Sequence, residues 1–564
     1  MEPRVWIKGV TFSSNTVVNF ESDDVVIIVG PNNSGKSATL RAIKDKSINS
    51  NSSSAVVKKI AVGKEGTSDD VIAWLRRTTK VTQEGTNSTF RGLNSAINSA
   101  SVPGWWTGAE DSIAQIAPFF VHLLAADERL RAADPQANIA LTVDPPTHPV
   151  HIIQRDDSLE MQLSRQFKKA FGQDIHVHRN AGNQVPILVG EKPRFKDGQD
   201  RVSLDYVREL EKLPRINTQG DGMRSFLGVL LYTTLGHETV LLVDEPEAFL
   251  HPPQARHLGN VLVSDVKPHC QLFVATHSGD VLRGALDAES TRVRVLRLTR
   301  PDETNVIHEL KNSEIGRIWS DPLLRYSNIL DGLFHERVVV CESDSDCRFY
   351  SAITDALIET SDNDQRRPDL MFTHCGGKAR LPQAIRSLRE LGVHTSVVTD
   401  FDVLNDERPL RDIVEAAGGD WNSIAFDWKQ VKHAVDGKKP ELSTDEVKRE
   451  IENSLSLASG AMFPDATKKQ IQAILKRSSP WANAKSVGVQ FIPNGEASKA
   501  CVRLLESLEG IGVYVVPVGE LEGFAKSAGG HGPSWVAEVL KMDLKNNAGF
   551  DPAKQFVAKV IHLG

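Results

Sequence analysis

Residues 25–37 read Val-Val-Ile-Ile-Val-Gly30-Pro31-Asn32-Asn33-Ser34-Gly35-Lys36-Ser37. An apolar run meets a glycine-rich turn, and a helix-forming segment, 37–46, follows. This is the strand–turn–helix setting that G-x-x-x-x-G-K-[ST] needs to act as a phosphate loop. Gly30, Asn33 and Gly35 lie in the turn, where successive backbone N–H groups can face phosphate oxygens. The helix N-terminus adds a favourable field. Lys36 is placed to reach the terminal phosphates of ATP, and the Ser37 hydroxyl to ligate Mg²⁺.

Two downstream segments complete the pattern. Leu241-Leu242-Val243-Asp244-Glu245-Pro246-Glu247 ends an all-apolar strand in acids. Asp244 is expected to hold Mg²⁺ through water and Glu245 to polarise the attacking water, because buried acids at a strand end need a cation or hydrogen bonds. Leu272-Phe273-Val274-Ala275-Thr276-His277-Ser278 puts His277 at another strand end, where it can sense the γ-phosphate. Unbroken apolar runs of this kind fit strands buried on both faces of a parallel sheet.

These motifs resemble the ABC-type ATPase heads of SMC, Rad50, RecF and OLD proteins. Thr218-Gln219-Gly220-Asp221-Gly222-Met223-Arg224-Ser225 is similar to the OLD variant of the loop that completes a partner's nucleotide site, and Leu250-His251-Pro252 also resembles this group. The resemblance implies a homodimer through the heads, with Gly220 and Gly222 at the nucleotide; a tetramer of such dimers stays open. The family's metal-touching glutamine is matched only weakly, by Gln83 or Gln154.

A second α/β rhythm begins near 336. Val338-Val339-Val340-Cys341-Glu342-Ser343-Asp344-Ser345-Asp346 runs an apolar strand into acids, and Thr395-Ser396-Val397-Val398-Thr399-Asp400-Phe401-Asp402 does so again. On an extended backbone i and i+2 share a face, so Asp400 and Asp402 are expected to share one metal region. Parallel strands ending together would set Glu342 beside them. Hard oxygen ligands suit Mg²⁺ or Mn²⁺. The order resembles the TOPRIM domain of OLD nucleases: Glu342 and Asp346 match E-x-x-x-D, although Ser343 replaces the usual glycine. Phe372 to Leu381 resembles the second TOPRIM strand and its turn. Gly519-Glu520-Leu521-Glu522 resembles the closing element, with Glu522 favoured over Glu520 as a metal ligand. Lys378, Lys541 and Lys545 stay open as the charge-neutralising lysine. Arg366, Arg367, Lys378, Arg380, Arg386 and Arg389 are either DNA-phosphate contacts or a solvated helix face.

Composition sets the frame. The chain has 564 residues, 40% hydrophobic and 25% charged, which excludes collagen-like and wholly disordered readings. Lys+Arg 66 against Asp+Glu 73 gives a net charge of -7, which is not the balance of a nucleic-acid coat but does not exclude a nucleic-acid enzyme, because a local patch or bound metal can do the attracting. The five cysteines form no C-x-x-C pair, so neither a disulfide framework nor a thiolate zinc site is expected. His148, His151, His176 and His178 lack completing ligands and are not read as a metal cluster. No run approaches ~18 apolar residues, so no membrane span is expected, and a cytoplasmic setting follows.

The expected architecture is α/β. An ABC-type head spans 1–335, with an insertion or dimerisation region within about 47–215. A Rossmann-like TOPRIM domain spans 336–564, with a helical insertion at about 403–485. Residues 47–68 read as a surface loop, and Val487–Phe491 and Val513–Val516 as late strands. The family resemblance implies an ATP-regulated, metal-dependent DNA endonuclease in antiphage defence, in some relatives beside a helicase or a retron reverse transcriptase with its RNA–DNA product. Two other readings are carried: a repair ATPase whose TOPRIM region binds DNA without cutting, and a nucleotide-switched scaffold that controls a partner effector.

Overall fold

The computed structural model describes residues 2–562 except 85–86, 93–94, 109, 302–303, 311–315, 317–318, 321–327, 361–366, 439–441, 459–461 and 478. The chain forms two compact units, Met1–Trp319 and Ser320–Gly564. The sequence had put this division near 335.

The first unit is built on a six-stranded sheet in the order Val306–Leu310, Val293–Thr299, Val25–Val29, Gln271–Ala275, Val240–Asp244, Val121–Leu124. All neighbours pair parallel except Val306–Leu310, which runs antiparallel at one edge. Every residue of Val25–Val29 and of Gln271–Ala275 is buried. Val25–Val29 is β-branched throughout and residues 272–275 are apolar, and both runs are covered on both faces, as a central parallel strand requires. Chain reversals in a parallel sheet put all strand C-termini on one edge, so Gly30, Asp244 and Thr276 emerge together.

Residues 47–68 are not simply a loop. Val57–Glu65 is a strand that pairs antiparallel with Arg4–Phe12. Its Val57, Ile60 and Val62 are buried in the head's core, a driving force that the neighbouring lysines and serines obscure in the sequence. The short helix Ala117–Phe120 leads straight into the edge strand Val121–Leu124.

The second unit carries a four-stranded parallel sheet in the order Leu370–His374, Arg337–Cys341, His394–Thr399, Val513–Val515. The helix Asp344–Thr360 leaves directly after the first acids. The segment after Asp402 is helical, including Glu407–Ala416, Trp421–Asp436, Thr444–Ser456, Asp465–Arg477 and Pro480–Val487. Residues 488–491 form a 3-10 turn, not the strand expected from the sequence: Val489 N–H donates to the Pro517 carbonyl and Ile492 N–H back to the Val489 carbonyl. Among the described residues, no helix is long and apolar enough to cross a membrane.

Candidate functional site

In the head, the phosphate loop hugs its neighbours. Gly30 has φ 144, and a Cβ there would stand 2.0 Å from the Leu298 carbonyl oxygen, so only glycine fits. Asn33 adopts φ 62 in the turn, and Gly35 caps the helix Lys36–Ile48 with φ 97. Lys36 is buried, and its ammonium donates to the Gly30 and Pro31 carbonyls at 2.7 and 2.8 Å. Ser37 Oγ donates to Asp244 Oδ1 at 2.7 Å, joining the first and second motifs. The buried Ser34 hydroxyl has no hydrogen-bond partner. A buried orphan hydroxyl beside inward-turned backbone fits a phosphate, and a Ser–Asp oxygen pair fits Mg²⁺.

Glu245 sits at φ 48 just past the strand, its carboxylate 3.2 Å from His277 Nε2. His277 N–H donates to Glu247 Oε1 at 2.7 Å. Burial lowers the His277 pKa, Lys36 adds to this, and Glu245 and Asp244 oppose it. Burial pushes the Glu247 carboxyl above its ordinary value. Gly220 and Gly222 lie at the start of the helix Asp221–Leu235. Gln83 accepts from Ser88 in an antiparallel hairpin, and Gln154 is buried against Asn138.

Arg129 was not singled out in the sequence. It is fully buried on the short helix Ala126–Ala132. Its guanidinium donates to the Asp244 carbonyl, to the Glu245 carbonyl at 2.9 Å and to Ser225 Oγ at 3.1 Å. One planar fork thus ties the helix behind Gly220–Gly222 to the backbone carrying both acids. Asn305 is likewise buried and donates to the Ser34 carbonyl at 2.6 Å, bracing the phosphate loop.

In the second unit, the ends of neighbouring parallel strands bring the acids together. Glu342 Oε1 accepts from Thr399 Oγ1 at 2.6 Å and from Asp400 N–H at 3.1 Å. The register of Arg337–Cys341 against His394–Thr399 sets this meeting. Asp400 and Asp402 do not share a face by strand alternation. The strand stops at Thr399 and Phe401–Asn405 is a 3-10 turn, so it is the turn that gathers both carboxylates. Lys485 Nζ stands 2.8 Å from Asp400 and 3.6 Å from Asp402, and Lys378 Nζ stands 2.9 Å from Asp402.

Asp346 caps its helix, accepting from Ser343 N–H at 2.8 Å and Ser343 Oγ at 3.0 Å. That bond accounts for a serine where the related pattern has glycine. Burial raises the Asp346 pKa, with Glu342 and Glu522 adding to it. Burial, with the nearby Glu342 charge, pushes Asp400 up to about 7 against the pull of Lys485. Burial works against the Lys485 charge, yet Asp400 and Asp402 outweigh it and hold its pKa above the ordinary value. Glu520, Glu522 and His531 present ligand atoms within 4.8 Å of one another, with His531 Nδ1 2.5 Å from Glu522. Asp402 Oδ1 is buried without a hydrogen-bond partner. An orphaned carboxylate oxygen among further hard oxygens fits a divalent cation.

A family model for an "AAA domain, putative AbiEii toxin, Type IV TA system" matches residues 107–283, and one for an "Overcoming lysogenization defect protein-like, TOPRIM domain" matches residues 333–402. The chain thus joins a segment matching an AbiEii-like AAA domain to one matching an OLD-like TOPRIM domain. That composition is consistent with the OLD-nuclease family. The Old nuclease of Escherichia phage P2 is 24% identical over 172 residues, 30% of this chain and 28% of that protein. An uncharacterized protein of Methanocaldococcus jannaschii, MJECL11, is 30% identical over 99 residues, 17% of this chain and 86% of that protein. Among solved structures, an SMC head bound to the C-winged helix domain of ScpA covers 55% of this chain and 99% of its own at 15% identity, with a TM-score of 0.33.

The remaining sequence candidates sort by position. In the second unit, Lys541 pairs with Glu538 and Lys545 with Glu359, both at exposed positions, whereas Lys378 reaches Asp402. Arg367 lies 3.9 Å from Asp355, Arg389 donates to the Ala417 carbonyl, and Arg366 falls outside the described residues. His151 and His176 bond the Ala137 and Gly190 carbonyls, which fits packing roles in the ATPase. Lys485 and His531 carried no sequence signal. Each reaches the acids from a segment outside the motif strands.

Proposed function

We propose that this protein is an ATP-binding and ATP-regulated, divalent-metal-dependent DNA endonuclease of antiphage defence, acting as a homodimer through its heads. The observation that carries the reading is the Glu342–Thr399–Asp400 junction, which gathers carboxylates from two neighbouring strand ends beside two lysines.

Glu342, Asp346, Asp400, Asp402 and Glu522 are the residues that would hold Mg²⁺ or Mn²⁺. Ions bound there supply water activation and stabilisation of the leaving oxygen of a phosphodiester. Thr399 and the Asp400 N–H orient Glu342, Ser343 orients Asp346, and Lys378 places positive charge where a phosphate would approach. In the head, Lys36, Ser37 and the loop N–H groups would bind the ATP phosphates and Mg²⁺. Glu245, held against His277, is positioned to accept a proton from water. Gly220 and Gly222 would face the nucleotide of a second copy.

The test is plasmid cleavage by the full chain with Mg²⁺ or Mn²⁺, with and without ATP. Nicking that needs metal and vanishes in E342A and D402A supports the reading. A folded, metal-binding protein that leaves plasmid intact under every nucleotide condition would favour the non-cleaving repair ATPase. Partner activity that survives loss of the carboxylates would favour the scaffold.

A further inference from the structure

Lys485 lies on the short helix Pro480–Val487, which the sequence had read only as the end of a polar helical insertion. Its ammonium bridges the two aspartates, 2.8 Å from Asp400 and 3.6 Å from Asp402. The approach is built into the backbone. Just past the helix, Gly488 has φ 63, and a Cβ there would stand 2.0 Å from the Pro517 carbonyl oxygen. From the other side, a Cβ at Gly519 would stand 2.1 Å from the Lys485 carbonyl oxygen. Two glycines therefore let the lysine's own peptide cross against the turn that leads to Glu520 and Glu522. A side chain at either position would push Lys485 away from the acids.

An ammonium at hydrogen-bond distance from carboxylates answers the same electrostatic need as a metal ion, but donates to oxygens instead of coordinating them. It still leaves one demand unmet, since Asp402 Oδ1 stays buried and unpartnered. The two cations compete for the same oxygens.

Building on the nuclease reading above, we infer that Lys485 is a resident counter-cation of the TOPRIM site, which a divalent metal must displace from Asp400 and Asp402. Lys485 is a positioning residue here. It holds the carboxylates gathered before metal arrives and sets how much metal is needed to load them. Lys378 touches only Asp402 among these acids and competes less.

The experiment is Mn²⁺ binding to nucleotide-free full-length protein, read as free Mn²⁺ by electron paramagnetic resonance, with D402N reporting what the head binds alone. K485M should bind Mn²⁺ about tenfold more tightly than wild type, the order of one partly buried ion pair exchanged for a metal. K485R, which keeps the charge, should stay within about twofold, and K378M should fall between. K485Q is read alongside in case K485M does not fold, and carries the same expectation. Equal or weaker binding by a folded K485M or K485Q overturns the inference. So does Mn²⁺ binding that matches D402N in every variant. Tighter binding by K485M in a protein that never cuts DNA would sink the nuclease reading and leave this one standing.

Discussion

The head and the TOPRIM domain solve the same problem in opposite ways. Each ends buried parallel strands in acids. In the head, Asp244 is met by a neutral hydroxyl, Ser37 Oγ, while Lys36 folds back onto the carbonyls of its own loop. In the TOPRIM domain, Asp400 and Asp402 are met by ammonium groups. The head site is thus held by hydrogen bonds that a phosphate and its cation can replace at little electrostatic cost. The second site carries its own counter-charge, so loading it is an exchange of cations.

The largest effects should come from cutting that contrast at its centre. D402A should lower metal-dependent cleavage by about a thousandfold or more while ATP binding persists, since each metal-assisted step depends on the ligand set. K36A should do the reverse, abolishing ATP binding but leaving Mn²⁺ binding at the TOPRIM site. Filter binding of ATP and Mn²⁺ titration read the two sites separately. If either variant disables both, the sites are not independent and the comparison breaks.

Next is the buried fork of Arg129. R129A leaves the Asp244 and Glu245 carbonyls and Ser225 without their donor, a loss of about 2–4 kcal/mol from the head. Thermal unfolding of the full chain should show the head's transition moving down. R129K should recover part of the stability but little ATPase turnover, because one ammonium cannot span carbonyls that a planar fork spans.

Smaller in size is the pH dependence of metal loading. Asp400 is held at about 7, so below that pH a proton competes with the metal for its carboxylate. Mn²⁺ affinity should be flat above pH 7 and fall about tenfold per pH unit below it. The stability of the metal-free fold runs the opposite way. The Asp400 contribution is fully present below its ordinary value of 3.8 and is lost as pH rises through about 7. Added metal should remove that loss, and thermal melts in EDTA and in Mn²⁺ across this range check it. The smallest effect is K541A: its ion pair with Glu538 is exposed, so unfolding should change by less than about 0.5 kcal/mol.

Much of this was legible in the sequence because it rests on local pattern. The phosphate loop, the two apolar strands that end in Asp244 and Ala275, and the strand ends at Glu342 and Asp400 announce themselves by unbroken apolar runs followed by glycine or acid. What escaped detection depends on pairing across the fold. Val57–Glu65 looked like loop because its lysines face outward while Val57, Ile60 and Val62 serve the core. Asp400 and Asp402 looked like two positions of one strand, but the strand ends one residue earlier. Arg129 and Lys485 are ordinary basic residues on short helices, and only the tertiary structure shows that one is buried behind Asp244 and the other set between two aspartates.

The order of strands in the head also bears on how the protein is made. Val25–Val29 pairs with Gln271–Ala275 on one side and Val293–Thr299 on the other, and Ser37 meets Asp244 across a separation of 207 residues. A ribosome adding about 5–20 residues per second leaves that first strand without either neighbour for on the order of ten to fifty seconds. Throughout that interval an entirely apolar, unpaired strand edge is exposed to other nascent chains. The nucleotide pocket is then one of the last features of the head to close, and ATP is available to reward its completion by binding only the finished form.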